Sequence, residues 1–295
     1  MSKPRAYLAW LVVCLVWGTT YLSIRLAIES LPPLLMAGAR WVVAGGLLIA
    51  LFRLRGDRLP PRAAWPSLWV RGFLLITLGN GAVVWAELTV PSGLTSVLVA
   101  LAPFWMVGVE AVAGDSPRLK PRQVAGLAVG FTGVLILIWP QLEADLGGRG
   151  FVVGLICTQI ACAGWALGST FARRRARHQR EEPTLTAPAF EMVTGGIFLL
   201  AGSLLIGERL MPPISGRSVG AVIYLAIFGS IVAFSAYRYA LQHLAIATVS
   251  QYVYVNTVIA MALGTLVLGE PLNWRMAAGA AVVLAGIALV RDYDG

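Results

Sequence analysis

Apolar residues run along this chain in about ten blocks, each near the roughly 20 residues a helix needs to cross a bilayer, and short clusters of charge and proline separate them. Dividing the chain at those clusters predicts helices over Ala6–Ile28, Pro33–Leu54, Ser67–Leu88, Pro91–Ala113 and Pro121–Trp139. A second set follows over Gly150–Ala172, Leu185–Ile206, Gly216–Leu241, Ala245–Leu268 and Trp274–Val290. The connections are short and leave no room for an extramembrane domain. The expectation is an all-α integral membrane protein with ten transmembrane helices.

Composition agrees. Hydrophobic residues make up 58% of the 295 and charged residues 13%, with mean hydropathy +0.77. A soluble core does not need that much apolar surface in runs this long. The first block is about a full span long and no small-residue cleavage site follows it, so it reads as a membrane helix rather than a leader.

The net charge of +9 suggests nucleic acid until the charges are located. Cytoplasmic loops of membrane proteins are enriched in Lys and Arg. An even number of crossings puts both termini on one side. Placing them inside puts 16 of the 23 basic residues there, including Lys3, Arg53, Arg55, Arg118 and the run Arg173–Arg180. Only Arg149, Arg209, Arg217 and Arg275 then fall outside. The expectation is a multi-pass protein with both termini cytoplasmic, the bilayer as its partner and no nucleic-acid role. Cys14, Cys157 and Cys162 all lie within predicted spans without metal-ligand spacing. They read as packing residues, and no cofactor or metal is expected.

The chain is internally repeated. Gly18-Thr19-Thr20-Tyr21 recurs 150 residues later as Gly168-Ser169-Thr170-Phe171, Gly45-Gly46 as Gly195-Gly196, and Gly79 as Gly229. Pro60-Pro61 matches Pro212-Pro213, and Gly126 and Gly133 match Gly279 and Gly286 at a slightly longer offset. The expected repeats are 1–146 and 147–295. Five helices is an odd number, so the second repeat enters the membrane from the opposite side. Inverted halves belong above all to secondary transporters, with the substrate near the midplane between the repeats. Gly126 and Gly130 form a G-x-x-x-G in the fifth predicted helix, and the tenth carries Gly279 among alanines. Both read as close-packing scaffold helices, within the chain or between protomers.

Several motifs carry a family resemblance: Trp17-Gly18-Thr19-Thr20-Tyr21, Pro32-Pro33, Ala39-Arg40, Gly79-Asn80-Gly81, Val90-Pro91-Ser92-Gly93 and Leu268-Gly269-Glu270-Pro271-Leu272. Together they resemble the EamA-type carriers of the drug/metabolite transporter superfamily, in particular bacterial exporters of amino acids and other metabolites. The resemblance covers essentially the whole chain and implies a ten-helix carrier in the bacterial inner membrane. One departure is visible: Val255-Asn256-Thr257 stands where relatives often carry V-N-P.

Ionisable side chains inside spans are functional candidates by default. Arg40 and Glu87 fall at similar depth on consecutive helices, and so do Glu191 and Arg238. The repeat offset relates these neighbourhoods, so two symmetry-related ion pairs are expected as gates or as simple helix ties. Glu110 reads as an interfacial acid near Arg118 and Arg122. Mid-span amides and hydroxyls can bind a zwitterion without burying a fixed charge, and aromatic walls suit an apolar or cationic molecule. The expected substrate contacts are Trp17, Thr20, Tyr21, Asn80, Trp85, Trp105, Trp165, Tyr237, Gln251, Tyr252 and Asn256. Each aromatic among them is also explained by helix packing.

The expected function is export of small metabolites, foremost aromatic or apolar amino acids, by alternating access, as a monomer or weak homo-oligomer. The alternatives within carriers are a sugar-phosphate or nucleotide-sugar exchanger and a lipophilic-cation or drug efflux carrier. Phosphate binding would call for Lys or Arg at the midplane, and Lys occurs only at 3 and 120. A membrane enzyme is not expected: only His178 and His243 are present, and hydrolase motifs are absent. A channel would call for a ring of like charge. With Glu87 and Glu191 both paired, no free acid remains for a proton, so transport down the substrate's own gradient is expected.

Overall fold

The computed structural model describes residues 3–112, 121–143, 148–179, 186–244, 249 and 252–290. Helices α1 (Lys3–Ala27) and α2 (Pro33–Leu54) come first. α3 is one continuous rod over Trp65–Arg71, a π-helical stretch Gly72–Gly81, and Ala82–Ala86. α4 is two pieces, Ser92–Val99 and Ala102–Val112, broken just ahead of Pro103, where the ring would clash with the preceding turn. α5 (Pro121–Glu143), α6 (Gly148–Gln179) and α7 (Ala187–Leu205) follow. α8 runs Gly216–Tyr224, a π-helical stretch Leu225–Val232, and Ala233–His243. α9 (Tyr252–Leu268) and α10 (Trp274–Val290) complete the set. The predicted bounds of the second and tenth helices match, while the start predicted for the ninth at Ala245 lies outside the described residues. α6 continues two turns past its predicted end, because the Arg-, Ala- and Gln-containing tail favours helix over loop.

Among the described residues, seven helices are long and apolar enough to cross a membrane, and three further apolar helices are shorter. Their outward faces carry large apolar side chains. Leu8, Leu11 and Leu15 stay exposed at helical spacing along α1, while Ala6, Val13 and Cys14 on its other side are fully buried. Water would penalise such a stripe, whereas lipid accepts it.

Small residues set the inner packing. α5 lies against α10, where a Cβ on Gly133 would come 2.6 Å from the Val283 nitrogen and 2.9 Å from the Gly279 oxygen. Gly286 faces Gly126 and Gly130 across the same contact. The glycines of the fifth and tenth predicted helices therefore pack within one chain. α2 and α7 meet in the same way, with a Cβ on Gly38 or on Gly196 facing the other residue's carbonyl at 2.9 Å.

The contacts follow an exchange rule. α1 packs on α8 and α9, as α6 packs on α3 and α4; α3 packs on α7, as α8 packs on α2; α2 pairs with α7 and α5 with α10. These larger contacts survive exchange of helix n with helix n + 5. The two π-helical stretches fall on exchanged helices and contain the matched glycines Gly79 and Gly229.

Two helix starts are capped from a distance. α2 begins behind Pro32 and α4 behind Pro91, and neither proline can offer a side-chain cap. The Glu208 carboxylate accepts the Leu34 and Leu35 N–H groups at 3.1 and 2.7 Å. The Glu270 carboxylate accepts those of Ser92 and Gly93 at 2.7 and 3.0 Å. Each acid directly follows a glycine in the left-handed region, Gly207 at φ 73° and Gly269 at φ 66°, where glycine ends a helix at little cost. A carboxylate there satisfies donors that a helix start leaves unpaired and meets the positive end of the dipole.

Candidate functional site

A cavity of about 130 Å³ lies between the halves, roomy enough for several waters at about 10–15 Å³ each. Seven of the eleven expected contacts line it: Trp17, Thr20, Tyr21, Asn80, Trp165, Tyr252 and Asn256. The matched glycines Gly79 and Gly229 also line it. The π-helical stretches thus bring backbone to the cavity wall, consistent with the frequent use of such bulges at sites.

The aromatic wall is a cluster. Trp17 packs on Tyr252 at 4.9 Å between ring centroids and on Tyr237 at 5.2 Å, and Tyr237 meets Tyr252 at 6.0 Å. Tyr237 supports the wall from behind and does not itself line the cavity. Trp17 Nε1 donates to the Gly229 carbonyl at 3.3 Å, tying α1 to the π-helical stretch of α8. Asn80 is held from the opposite wall: its Oδ1 accepts from Trp41 Nε1 at 2.8 Å.

Arg40 was expected opposite Glu87 and is instead in the cavity wall, 3% exposed. Its Nε donates to Ser230 Oγ at 3.0 Å, and its guanidinium carbon lies 4.6 Å from the centroid of the Trp41 ring. Nη1 is buried and has no hydrogen-bond partner. The Arg40–Glu87 pair is not formed, because rotation of α2 aims Arg40 at α8 instead of the end of α3. At that end Arg25 donates to the backbone carbonyl of Glu87, whose carboxyl group is fully buried with neither oxygen hydrogen-bonded. The premise that pairing occupies Glu87 therefore fails. Glu191 is paired, but with Arg71 from α3; the Arg238 side chain expected there lies outside the described residues.

Other expectations shift with helical phase. Trp85 follows the cavity-lining Val83 by two residues, which at 3.6 residues per turn turns it to the far side of α3. Trp105 is 39% exposed and donates to Gln159 Oε1 at 3.0 Å in an apolar groove bounded by α4, α5 and α6. Neither faces the cavity, so substrate contact is not carried by their positions. Gln251 lies outside the described residues. Trp41 and Cys162 line the cavity without having been expected there. For Trp41 the available signal is its place beside Arg40 on an apolar helix.

No aspartate, glutamate or histidine lines the cavity among the described residues, and none of their groupings could hold a metal. The lining suits reversible, non-covalent binding of a small molecule: an apolar aromatic wall, two amides, hydroxyls and one cation.

The pattern described as the EamA-like transporter family matches this chain twice, over residues 4–139 and 152–291. The "Uncharacterized inner membrane transporter YedA" of Escherichia coli K12 is 37% identical over 281 residues, covering 94% of this chain and 87% of that protein. The "Probable amino-acid metabolite efflux pump" of Salmonella typhimurium is 27% identical over 295 residues, covering 97% and 94%. A solved crystal structure superposes with a TM-score of 0.65 over 98% of each chain at 21% identity, a likeness of fold alone.

Proposed function

We propose that this chain, which belongs to the EamA-like transporter family, exports small metabolites, foremost apolar or aromatic amino acids, across the bacterial inner membrane. That it is a membrane transporter follows from the family; substrate and mechanism are our reading. The chain crosses ten times as two inverted five-helix repeats, 1–146 and 147–295, with both termini cytoplasmic. The doubled family match, the exchange symmetry of the helix contacts and the matched π-helical stretches support the repeats. The distribution of Lys and Arg supports the orientation.

The observation that carries the substrate reading is a cavity walled by both halves, with Trp17, Tyr21 and Asn80 from one and Trp165, Tyr252 and Asn256 from the other. Inverted halves that share a site can expose it to each side in turn by rocking. On this orientation Glu208, Glu270 and the Arg25–Glu87 contact brace the outer end, and Arg71–Glu191 braces the inner end. Arg40 and Asn80 meet the polar part of the substrate, and the Trp17 cluster meets its apolar part. The name of the Salmonella relative is in keeping with this. A buried cation in the wall disfavours lipophilic cations. The phosphorylated-substrate reading gains from Arg40, but a dianion calls for more than one such group. The cavity lies within one chain, which is compatible with a monomer or a weak homo-oligomer.

Purified protein in liposomes, loaded with unlabelled solute and offered radiolabelled amino acids, sugars or lipophilic cations, tests the reading. Counterflow is expected for apolar and aromatic amino acids. It should persist when a protonophore collapses the pH gradient, because no carboxyl group lines the cavity among the described residues. Exchange of phosphorylated sugars or lipophilic cations only would overturn the substrate assignment.

A further inference from the structure

We propose that the Arg40 guanidinium is the anchor for a carboxylate on the substrate, and that the substrate's amino group is dispensable. This rests on the carrier reading above and narrows it to solutes bearing one carboxylate on an apolar body, with or without an amine.

Arg40 is built as a binding group. Its Nε is committed to Ser230 and its plane is held over Trp41, whose own N–H is fixed by Asn80. The cation is therefore held in place before any ligand arrives, which lowers the cost of binding. A role limited to tying α2 to α8 would use the Ser230 contact and leave nothing for Nη1 to do. Nη1 is buried and unpartnered, and the Arg40 side chain that carries it lines the cavity. A buried cation without a counter-ion is costly, and among the described residues no acid pairs with Arg40. Glu87 makes no ion pair with Arg40, and Glu191 meets Arg71. A carboxylate entering the cavity would supply the missing charge through charge-assisted bonds to the guanidinium.

No comparable group awaits an ammonium. The lining has no carboxylate among the described residues. What remains is uncharged: the Asn256 amide, the Thr20 and Ser96 hydroxyls and the faces of Trp17, Trp165 and Tyr252, which contact an amine without supplying an opposite charge. Recognition is therefore asymmetric, with a fixed charge at one end and permissive surface at the other.

The test uses the wild-type protein and a ligand series sharing one ring: phenylalanine, 3-phenylpropanoate without the amine, and phenylalaninamide and phenethylamine without the carboxylate. Thermal stabilisation of the purified protein and competition in counterflow are both measured. Phenylalanine and 3-phenylpropanoate should act at similar concentrations, and the two carboxylate-free compounds should be weaker by on the order of 10- to 100-fold. In Arg40→Gln that gap should close, and Arg40→Lys should restore part of it. Equal potency of phenethylamine, inactivity of every carboxylate, or an unchanged gap in a folded Arg40→Gln would each overturn the proposal. So would a phenyl phosphate ester that outcompetes the carboxylates. The amino-acid reading fails separately, if 3-phenylpropanoate acts and phenylalanine does not. The anchor fails separately, if phenylalanine is carried and phenethylamine competes equally.

Discussion

Glu191 and Arg71 meet from α7 and α3 with side chains 4% and 14% exposed, so their attraction is little screened. Removing one partner of a fully buried pair costs about 3–5 kcal/mol, because the survivor stays buried and charged. Arg71 reaches some solvent, so Glu191→Gln is expected to cost less, on the order of 2 kcal/mol. A lower melting temperature in detergent checks this, and an unchanged one would show that the pair contributes nothing to stability. At this scale the sequence singles out charges placed in apolar helices but not which of them meet. Arg40, Glu87 and Glu191 all stand out as charges in apolar helices. Their partners depend on the rotation of each helix about its axis, which charge and depth do not fix. A turn of α2 by part of a revolution separates an outer gate from a cavity wall.

Helix positions were easier to read than helix ends or kinks, because long apolar runs broken by Pro and charge leave few ways to divide the chain. The Gly126–Gly130 spacing pointed to close packing, and the α5–α10 contact bears this out within the chain. The π-helical stretches were not legible, since one extra residue per turn leaves no mark in a mostly apolar segment. The caps do leave a mark in the sequence: Gly-Asp or Gly-Glu directly after a span, at 56–57, 114–115, 207–208 and 269–270. At Glu208 and Glu270 the acid satisfies two N–H groups of another helix. Glu208→Ala and Glu270→Ala should each cost about 1–2 kcal/mol. Glu29→Ala removes only an exposed 3.9 Å pair with Arg217 and should shift stability by at most about 0.5 kcal/mol. Melting temperatures of the three purified variants decide it, and equal shifts would show that the caps are not special.

For the whole molecule, orientation determines which end each of these contacts closes, and charge is the physical lever on it. Anionic cytoplasmic lipid and the cost of moving cations across the bilayer keep Lys and Arg inside. On the proposed topology the basic tail of α6 and the Arg53–Arg58 cluster at the end of α2 share the cytoplasmic face. Arg149, at the start of α6, is one span away from Arg177 and on the same topology falls on the other face. The three native cysteines lie in spans, two of them buried, so a cysteine-free background is a reasonable starting point. In that background Arg55→Cys and Arg177→Cys should resist an impermeant thiol reagent in intact cells and react after permeabilisation, whereas Arg149→Cys should react at once. Arg55 and Arg149 are exposed, so silence at either would report the membrane and not burial in the fold. The opposite labelling pattern would invert the molecule, placing the Glu208 and Glu270 caps at the cytoplasmic end and Arg71–Glu191 at the outer one. Equal labelling of Arg149→Cys and Arg177→Cys would mean that α6 does not cross, and the inverted-repeat reading would fall with it.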